Sequence, residues 1–275
     1  MQERHSNHTQ YFEEQAKAIR NHVIPFINSC FSLSSEMNVA EIGCGAGGNM
    51  LPFLEIGCNV WGIDISPAII ERAESLYALR PESKKLTLIA SDIYDVDPTT
   101  LPKFDLIVMR DVLEHIHNQE QFMKHLCNFV KPSGIIFMAF PPFRMPFGGH
   151  QQLCTNWLAS RLPYYHLLPK KIYRLLLRWF GENDGTINGL LEIKDTRMHL
   201  HQFHRIVKKA GFTLIREQNY LINPNYQVKF GLRPRRLPKV MNIPWFRDFA
   251  TTTCYAVLKI DDKTINDSIE SANAY

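Results

Sequence analysis

The sequence predicts an α/β fold in which a mostly parallel sheet is covered by helices on both faces. Short apolar stretches alternate with helical patterns between residues 39 and 140. These stretches are almost continuously apolar, as strands buried on both faces are. A glycine-rich loop follows the first stretch and opens a helix, an arrangement that places a ligand at the carboxyl ends of the strands.

Strand and helix signals follow one another along the chain. A leader helix is predicted at 10–31, where apolar residues recur at helical spacing, with a kink at Pro25. Ser66 and Pro67 supply an N-cap and a first helical residue for the helix after the second strand. The predicted strands are 39–42, 59–65, 86–90, 104–109, 135–140, 212–222 and 251–260, and the other helices are 49–56, 119–130 and 198–210.

The composition excludes several other kinds of protein. Of the 275 residues, 45% are hydrophobic and 21% are charged, which is typical of a globular chain and not of a disordered or coiled-coil one. The net charge of +4 is too small to require a nucleic-acid or membrane partner. Six cysteines without CxxC spacing are typical of a reducing compartment, and the polar start of the chain does not match a signal peptide. We therefore expect a cytoplasmic protein.

The glycine-rich loop gives the first indication of a ligand. Gly43, Gly45 and Gly48 fit the GxGxxG pattern of dinucleotide sites. Glycines in such a loop allow a sharp turn and let a ligand approach the backbone closely. Asp64 lies 21 positions after Gly43, where an acid can bind ribose hydroxyls. This spacing favours a ligand that contains a nucleoside.

The acids near the strand ends distinguish between the candidate ligands. Glu41 stands two residues before Gly43, where its charge would repel a pyrophosphate but favour an ammonium group. Asp92 and Asp111 follow the third and fourth strands, at the edge where a ligand crosses the sheet. These acids disfavour a nicotinamide dehydrogenase. They favour S-adenosylmethionine, which has a ribose, an exocyclic amine and a positive end but no phosphate.

Five motifs in this region resemble those of class I S-adenosylmethionine-dependent methyltransferases of the small-molecule, methyltransferase-11-like type. The motifs are EIGCGAGG, GIDIS, SDIYD, FDLIVMRDVLEHI and VKPSGIIFMAFP, which follow in order within 38–141, and the resemblance resumes at 199–260. It implies a Rossmann-like, doubly wound sheet of seven strands whose last strand is antiparallel. It also implies S-adenosylmethionine as the cofactor and S-adenosylhomocysteine as the product.

The resemblance further implies which residues hold the cofactor. The loop residues surround its methionine part, residues after the second and third strands hold its ribose and adenine, and residues after the fourth strand line its reactive end. Arg110 departs from the small residue that is common at its position. In that order, the implied residues are Glu41, Gly43, Gly45 and Gly47; Asp64 for the ribose, Ile65 packed on adenine, and Asp92 with Ile93 at the adenine edge; and Arg110 with Asp111.

We divide the chain into four parts on this basis. Residues 1–36 form a helical leader, and residues 37–141 with 196–261 form the cofactor-binding core. Residues 142–195 are an inserted cap after the fifth strand, expected to cover the substrate, and residues 262–275 are a polar tail. Oligomeric state is not predicted.

A catalytic base is needed only if the acceptor atom arrives protonated, because the cofactor itself carries the reactivity. His150 follows two glycines in the loop after the fifth strand and is the candidate base; a structural role for this loop histidine is the alternative. No metal site is predicted. His199, His201 and His204 near Asp195 are interpreted as a solvated helix face or a substrate-facing edge. His115 is interpreted as making a structural hydrogen bond, and His115 with His117 is not expected to bind a metal.

The segment 157–180 alternates aliphatic and basic residues and has two interpretations. It is either a basic amphipathic helix that contacts a membrane, which would suit a lipid-soluble acceptor, or a lid helix with a solvated basic face. The aromatic residues of the cap favour a flat or apolar acceptor and are the predicted acceptor lining, namely Phe143, Phe147, Tyr164, Tyr165 and Tyr173.

The predicted function is methyl transfer to oxygen, carbon or nitrogen of a small organic acceptor. A methyltransferase acting on RNA or another macromolecule is an alternative, but the Asn/Asp-Pro-Pro-aromatic motif of amino-base methyltransferases is missing after the fourth strand, and the cluster at 233–236 is interpreted as a solvated loop. A protein that binds the cofactor without catalysis is the third alternative.

Overall fold

The computed structural model describes residues 8–261 and residue 264, and within them one sheet of eight strands. The strands are β1 (Asn38–Ile42), β2 (Asn59–Asp64), β3 (Leu86–Ala90), β4 (Phe104–Arg110), β5 (Val130–Phe140), β6 (Phe212–Ile222), β7 (Arg235–Arg236) and β8 (Thr253–Ile260). Their order is β3-β2-β1-β4-β5-β8-β6-β7. Strands β1 to β5 pair in parallel, whereas β8 is antiparallel to both of its neighbours, β5 and β6. The prediction of a mostly parallel sheet with an antiparallel last strand is confirmed.

The predicted number of seven strands is wrong, because β7 adds an eighth at the sheet edge. Arg236 pairs with Tyr220 of β6, and Arg235 pairs with Ile222. Two residues are too short to show the alternation that identifies a strand in a sequence. Both arginines are exposed, and charged side chains on a short edge strand discourage pairing with another chain.

Helices cover both faces of the sheet. They are α1 (His8–Ala18), α2 (Ile24–Asn28), α3 (Leu51–Ile56), α4 (Pro67–Tyr77), α5 (Gln119–Leu126), α6 (Lys170–Trp179), α7 (Asp184–Thr196), α8 (Leu200–Lys209), α9 (Asn225–Phe230) and α10 (Arg247–Ala250). Alternate residues of β5 enter different apolar clusters: Ile136 and Met138 pack with α5 and α8, and Ile135 and Phe137 pack with α1, α2 and α3. This double coverage explains why residues 135–140 of β5 lack a polar face.

Among the boundaries that differ from those predicted, the differences at α5 and in the leader helix have an evident structural reason. Helix α5 ends at Leu126 and not at Val130, because Val130 pairs with Phe104 and begins β5. The leader helix is interrupted by one π turn (Ile19–Val23) just before Pro25, and the Ile24 amide donates to the carbonyl of Ile19. The predicted tail, 262–275, lies outside the described residues except for Thr264.

The segment after β5 has an apolar cluster of its own. Tyr173 and Leu177 of α6 pack there with Leu190 and Leu191 of α7. His166 is buried next to this segment; its Nε2–H donates to the Phe143 carbonyl at 2.7 Å, and its Nδ1 accepts from the Gln151 amide at 3.0 Å. None of the helices in residues 8–261 combines the length and the apolar character that crossing a membrane requires.

Candidate active site

A cavity of about 220 Å³ lies at the carboxyl ends of β1 and β4. Its inner wall is the loop after β1 together with Arg110 and Asp111 at the end of β4. Its outer wall comes from α1 and α9, which contact each other. The cavity therefore lies between the sheet edge and two helices that are far apart in the sequence. The outer wall consists of Tyr11, Glu14, Gln15, Asn225, Val228 and Lys229.

The glycines of the loop have backbone conformations that favour glycine. Gly43, Gly45 and Gly47 have φ angles of +70°, +55° and +87°. A Cβ on Gly43 would lie 2.6 Å from Val112 Cγ2, so a larger residue would also clash there. A Cβ on Gly45 would meet no described atom within 4 Å. The loop thus leaves open space in front of Gly45, on the wall of the cavity.

Glu41 is buried behind this wall and belongs to a chain of hydrogen bonds. Its Oε1 accepts from the Asn49 amide at 2.6 Å, and Asn49 Oδ1 accepts from the Arg110 guanidinium at 2.6 Å. Arg110 also donates to Asn225 Oδ1 of α9 at 2.8 Å. Burial raises the pKa of Glu41 to about 8, and the Asn49 hydrogen bond and the Arg110 charge oppose that rise. Since Glu41 is only 2% exposed, it does not line the cavity and is connected to it by the hydrogen bonds through Asn49 and Arg110.

Asp64 and Ile65 lie at the end of β2, beside the loop. Asp64 Oδ2 accepts from the Gly45 amide at 2.9 Å, and Oδ1 accepts from the Ser66 amide at 3.0 Å. Each carboxylate oxygen still has a second lone pair for a ligand hydroxyl. Ile65 is 70% exposed, an unusual position for an isoleucine that follows a buried strand.

Asp92 and Ile93 follow the neighbouring strand β3. The amide of Ser91 donates to the carbonyl of Asp64 at 3.0 Å, so the two strand ends are adjacent. Asp92 Oδ1 accepts from the Tyr94 amide at 3.0 Å and is partly exposed. The Ile93 side chain packs into the core. These residues extend the sheet edge beyond the cavity and do not line it.

His150 lies apart from the cavity and next to His115, with ring centroids 5.1 Å apart. Burial, then the charges of His115 and His166, lower the pKa of His150 to about 4. A base with so low a pKa is a weak proton acceptor. The preceding glycines allow close packing: a Cβ on Gly148 would lie 2.2 Å from the Phe143 carbonyl oxygen, and one on Gly149 would lie 2.4 Å from His166 Cβ.

Two of the other histidines considered from the sequence lie close to acids. His199 lies 3.3 Å from Asp248, and His204 lies 2.5 Å from Glu217. Within the described residues, one group of side chains has the spacing of metal ligands, and it consists of Glu114, His115 and His150.

Several cavity residues were not predicted. Asn49 could have been noticed, because it is a polar residue two positions before the apolar start of α3. Asn225 and Lys229 are in a stretch interpreted as a connection, and no local pattern connects them with residues 41–49. Only the tertiary contact between α1 and α9 places them at the cavity.

A second, more apolar cavity of about 450 Å³ adjoins the first and shares Lys229 with it. Arg161, Lys229, Gln152 and Ser160 supply its polar wall. Its apolar wall consists of Met145, Phe147, Leu153, Tyr226, Phe230 and Leu232. Phe147 is the aromatic residue of the predicted acceptor lining that lies here, whereas Phe143, Tyr165 and Tyr173 are buried.

Comparison with known proteins adds a family match. The model of a family described as a methyltransferase domain matches residues 12–217, which is most of the chain. The matched range contains the glycine loop and the acids at the ends of β2, β3 and β4.

Two curated relatives are ubiquinone biosynthesis O-methyltransferases. The protein of Rickettsia canadensis (strain McKiel) is 30% identical over 118 residues, which are 43% of this chain and 48% of the relative. That of Rhodopseudomonas palustris (strain HaA2) is 25% identical over 202 residues, which are 73% of this chain and 66% of the relative. The chain thus spans about half the length of the Rickettsia relative that it matches.

A solved structure supports the fold. An S-adenosylmethionine-dependent methyltransferase from Clostridium acetobutylicum superposes with a TM-score of 0.53 and 12% identity. The superposition covers 91% of this chain and 92% of the other. At this identity the likeness concerns the fold alone.

Proposed function

Because the chain belongs to the family of methyltransferase domains, we propose that it transfers a methyl group from S-adenosylmethionine to a hydroxyl of a small organic acceptor. The observation that carries this proposal is the cavity at the ends of β1 and β4. A glycine loop, a buried acid and a guanidinium meet there. The choice of oxygen as the acceptor atom follows the relatives, which are named O-methyltransferases.

The residues of the cavity fit the cofactor. The space in front of Gly45 admits a ligand next to the backbone. The buried Arg110 Nε has no hydrogen-bond partner among the described residues, and neither has Glu41 Oε2. The unpartnered Nε–H of Arg110 can donate to the carboxylate of an amino-acid end, and Asn49 connects Glu41 to the same wall of the cavity. We propose that Asn49 and Arg110 face this end, and that Asp64, Ile65, Asp92 and Ile93 hold the nucleoside.

The protein contributes orientation and exclusion of water. When bound, the cofactor supplies an electrophilic methyl group. Arg110, held by Asn49 and Asn225, keeps the loop and α9 in a defined relation, and α1 with α9 closes the cavity against solvent. Fixing both reactants in this way can supply about 7–11 kcal/mol of barrier reduction.

We propose that the acceptor occupies the second cavity and that the cap, residues 142–195, covers it. The apolar wall suits an aromatic, lipid-soluble molecule. Arg161 and Lys229 suit an acidic substituent on that molecule. Tyr226 of this wall lies near Asp111, which is one of the causes that raise the pKa of the tyrosine, after burial. The acceptor therefore lies beside the end of β4.

A membrane contact through residues 157–180 is the further partner that we propose. Ile172, Leu175 and Trp179 form an exposed stripe along one side of α6, at spacing i, i+3, i+7. Basic residues flank the stripe, namely Lys171, Arg174 and Arg178, and Trp157, Leu158 and Leu162 are exposed nearby in the sequence. An apolar stripe with basic flanks suits an anionic bilayer surface. We place the protein in the cytoplasm, at a membrane that would supply the acceptor.

Calorimetry with S-adenosylhomocysteine and with NAD tests the function. We expect S-adenosylhomocysteine to bind and NAD not to bind. Asp64→Ala is expected to weaken binding at least tenfold, because it removes the acid at the end of β2. Asp97→Ala is the control, since Asp97 is exposed and bonds only within its own turn, to Thr99. Binding of NAD alone, or equal affinities in both variants, would contradict the proposal.

The acceptor is identified by its gain in mass. Incubating the protein with a labelled methyl donor and fractions of a lipid extract should transfer label to an aromatic hydroxyl compound. Cofactor binding together with label on nucleic acid would instead support a macromolecular acceptor.

A further inference from the structure

We propose that Glu114, His115 and His150 form a binding site for one divalent transition-metal ion of the zinc or manganese class. The three side chains come from two places in the chain. Glu114 and His115 belong to the short 3-10 turn Leu113–His115 that follows β4, and His150 belongs to the loop after β5. One ligand atom from each of the three lies within 4.8 Å of the other two.

The spacing is close to that of a bound ion. Nitrogen and oxygen ligands at about 2.0–2.2 Å from zinc are roughly 3.4 Å from one another in a tetrahedral site. The three side chains therefore need shifts of about 1 Å to bind an ion. One carboxylate and two imidazoles are a ligand set that suits zinc and other first-row divalent ions.

Glu114 provides a separate reason for a cation. Its side chain is buried, and neither carboxylate oxygen has a hydrogen-bond partner within the described part of the chain. A buried acid without partners is costly, and a cation at this position would complement it.

His150 lies beside His115 in a strained backbone conformation. Their ring centroids are 5.1 Å apart. His150 has a φ of +56°, a left-handed conformation that disfavours a residue with a Cβ. The loop thus holds the His150 ring beside His115 in an unfavourable backbone conformation.

The position of the group leaves room for a fourth ligand. His115 lines a third cavity, of about 670 Å³, between the turn after β4 and α7. Leu153 lines both this cavity and the apolar one that we assign to the acceptor. Three protein ligands with an open position are typical of a catalytic site and not of a structural one. An ion here would hold an acceptor hydroxyl and lower its pKa; this use, but not the site itself, rests on the proposed function.

Metal binding tests the site directly. The full chain, stripped with a chelator, is titrated with zinc chloride and with manganese chloride in a calorimeter. We expect one ion per chain, and at least tenfold weaker binding in each of the variants Glu114→Gln, His115→Gln and His150→Gln. His117→Gln is the matched control, because His117 is an exposed histidine two residues along and is paired with Glu192.

S-adenosylhomocysteine binding in the same variants keeps the two proposals separate. Unchanged affinity for it shows that a variant is folded. The metal site is overturned if the wild-type chain binds no ion saturably, or if the three variants bind the ion as tightly as His117→Gln does. A chain that binds the ion but neither S-adenosylhomocysteine nor S-adenosylmethionine would retain the metal site and refute the proposed function.

Discussion

The carboxyl group of Glu41 is buried away from water, and its hydrogen bond with Asn49 reduces the free-energy cost of that burial. Asn49 donates to Glu41 and accepts from Arg110, so it uses both ends of its amide. A buried polar group without a partner costs about 1–3 kcal/mol, and more if it is charged. The single asparagine therefore supports an acid on β1 and a guanidinium on β4.

Removing this amide should affect both folding and cofactor binding. We expect Asn49→Ala to lower the free energy of unfolding by about 2–4 kcal/mol, because it removes the hydrogen-bond partner of the buried Glu41 and one of the two partners of Arg110. It should also weaken S-adenosylhomocysteine binding at least tenfold, since Arg110 loses its position. Urea denaturation and calorimetry measure the two effects. Asn59→Ala, at the start of β2 and the opposite end of the sheet, is the control. An Asn49 variant as stable as the control would show that the hydrogen-bond chain is dispensable.

At the scale of the element, α6 has two apolar faces with different surroundings. Tyr173 and Leu177 face the cluster inside the cap, and the opposite stripe remains exposed, with Leu175 at 68% and Trp179 at 75%. Exposed apolar residues at helical spacing are unusual on a helix that only covers a substrate.

Changing the stripe should affect membrane binding and leave the fold intact. We expect the chain to float with vesicles that contain phosphatidylglycerol, more than with phosphatidylcholine alone. The double change Leu175→Ser with Trp179→Ser should reduce this binding at least tenfold, because two apolar side chains no longer enter the bilayer interface. Leu79→Ser is a matched control, since Leu79 is 99% exposed after α4. Equal flotation of both variants would support the lid interpretation instead.

For the whole molecule, two buried groups with shifted pKa values change the free energy of unfolding in opposite directions as pH rises. Glu41 keeps its proton up to about pH 8 in the folded chain, whereas the ordinary value is 4.5. The folded state then binds the extra proton, so stability falls as pH rises between these values. Burial lowers the pKa of His166 from 6.5 to about 4. Its contribution is present above pH 6.5 and is lost as pH falls toward 4.

Above pH 6.5 His166 is neutral in both the folded and the unfolded chain, so its contribution no longer changes with pH. Between pH 6.5 and 8 we therefore expect the raised pKa of Glu41 to lower the free energy of unfolding by about 1.4 kcal/mol per pH unit. Glu41→Gln should remove this part of the slope, because glutamine remains neutral and can still accept from Asn49. Urea denaturation of both proteins at pH 6.5 and 7.5 measures the difference. If the two free energies change in parallel, Glu41 does not hold its proton in the folded chain.

Much of the sheet was predictable because its signals are local. Strands β3 and β6 have the predicted bounds, although both are partly exposed. Strand β7 has two residues and no such signal, and β5 begins five residues earlier than predicted, because pairing with β4 continues past the helix end. Pairing between distant segments determined both boundaries.

The sequence by itself determined that residues at the ends of β1, β2 and β4 lie at one edge of the sheet, because the carboxyl ends of neighbouring parallel strands lie at the same edge. The position of each residue in the chain was enough to place it there: Gly43 follows β1, Asp64 ends β2 and Arg110 ends β4. The tertiary structure alone decided that α9 closes the cavity and that His150 lies beside Glu114. Such contacts are made by side-chain packing between segments that are far apart in the sequence, and the local periodicity of the sequence does not predict them.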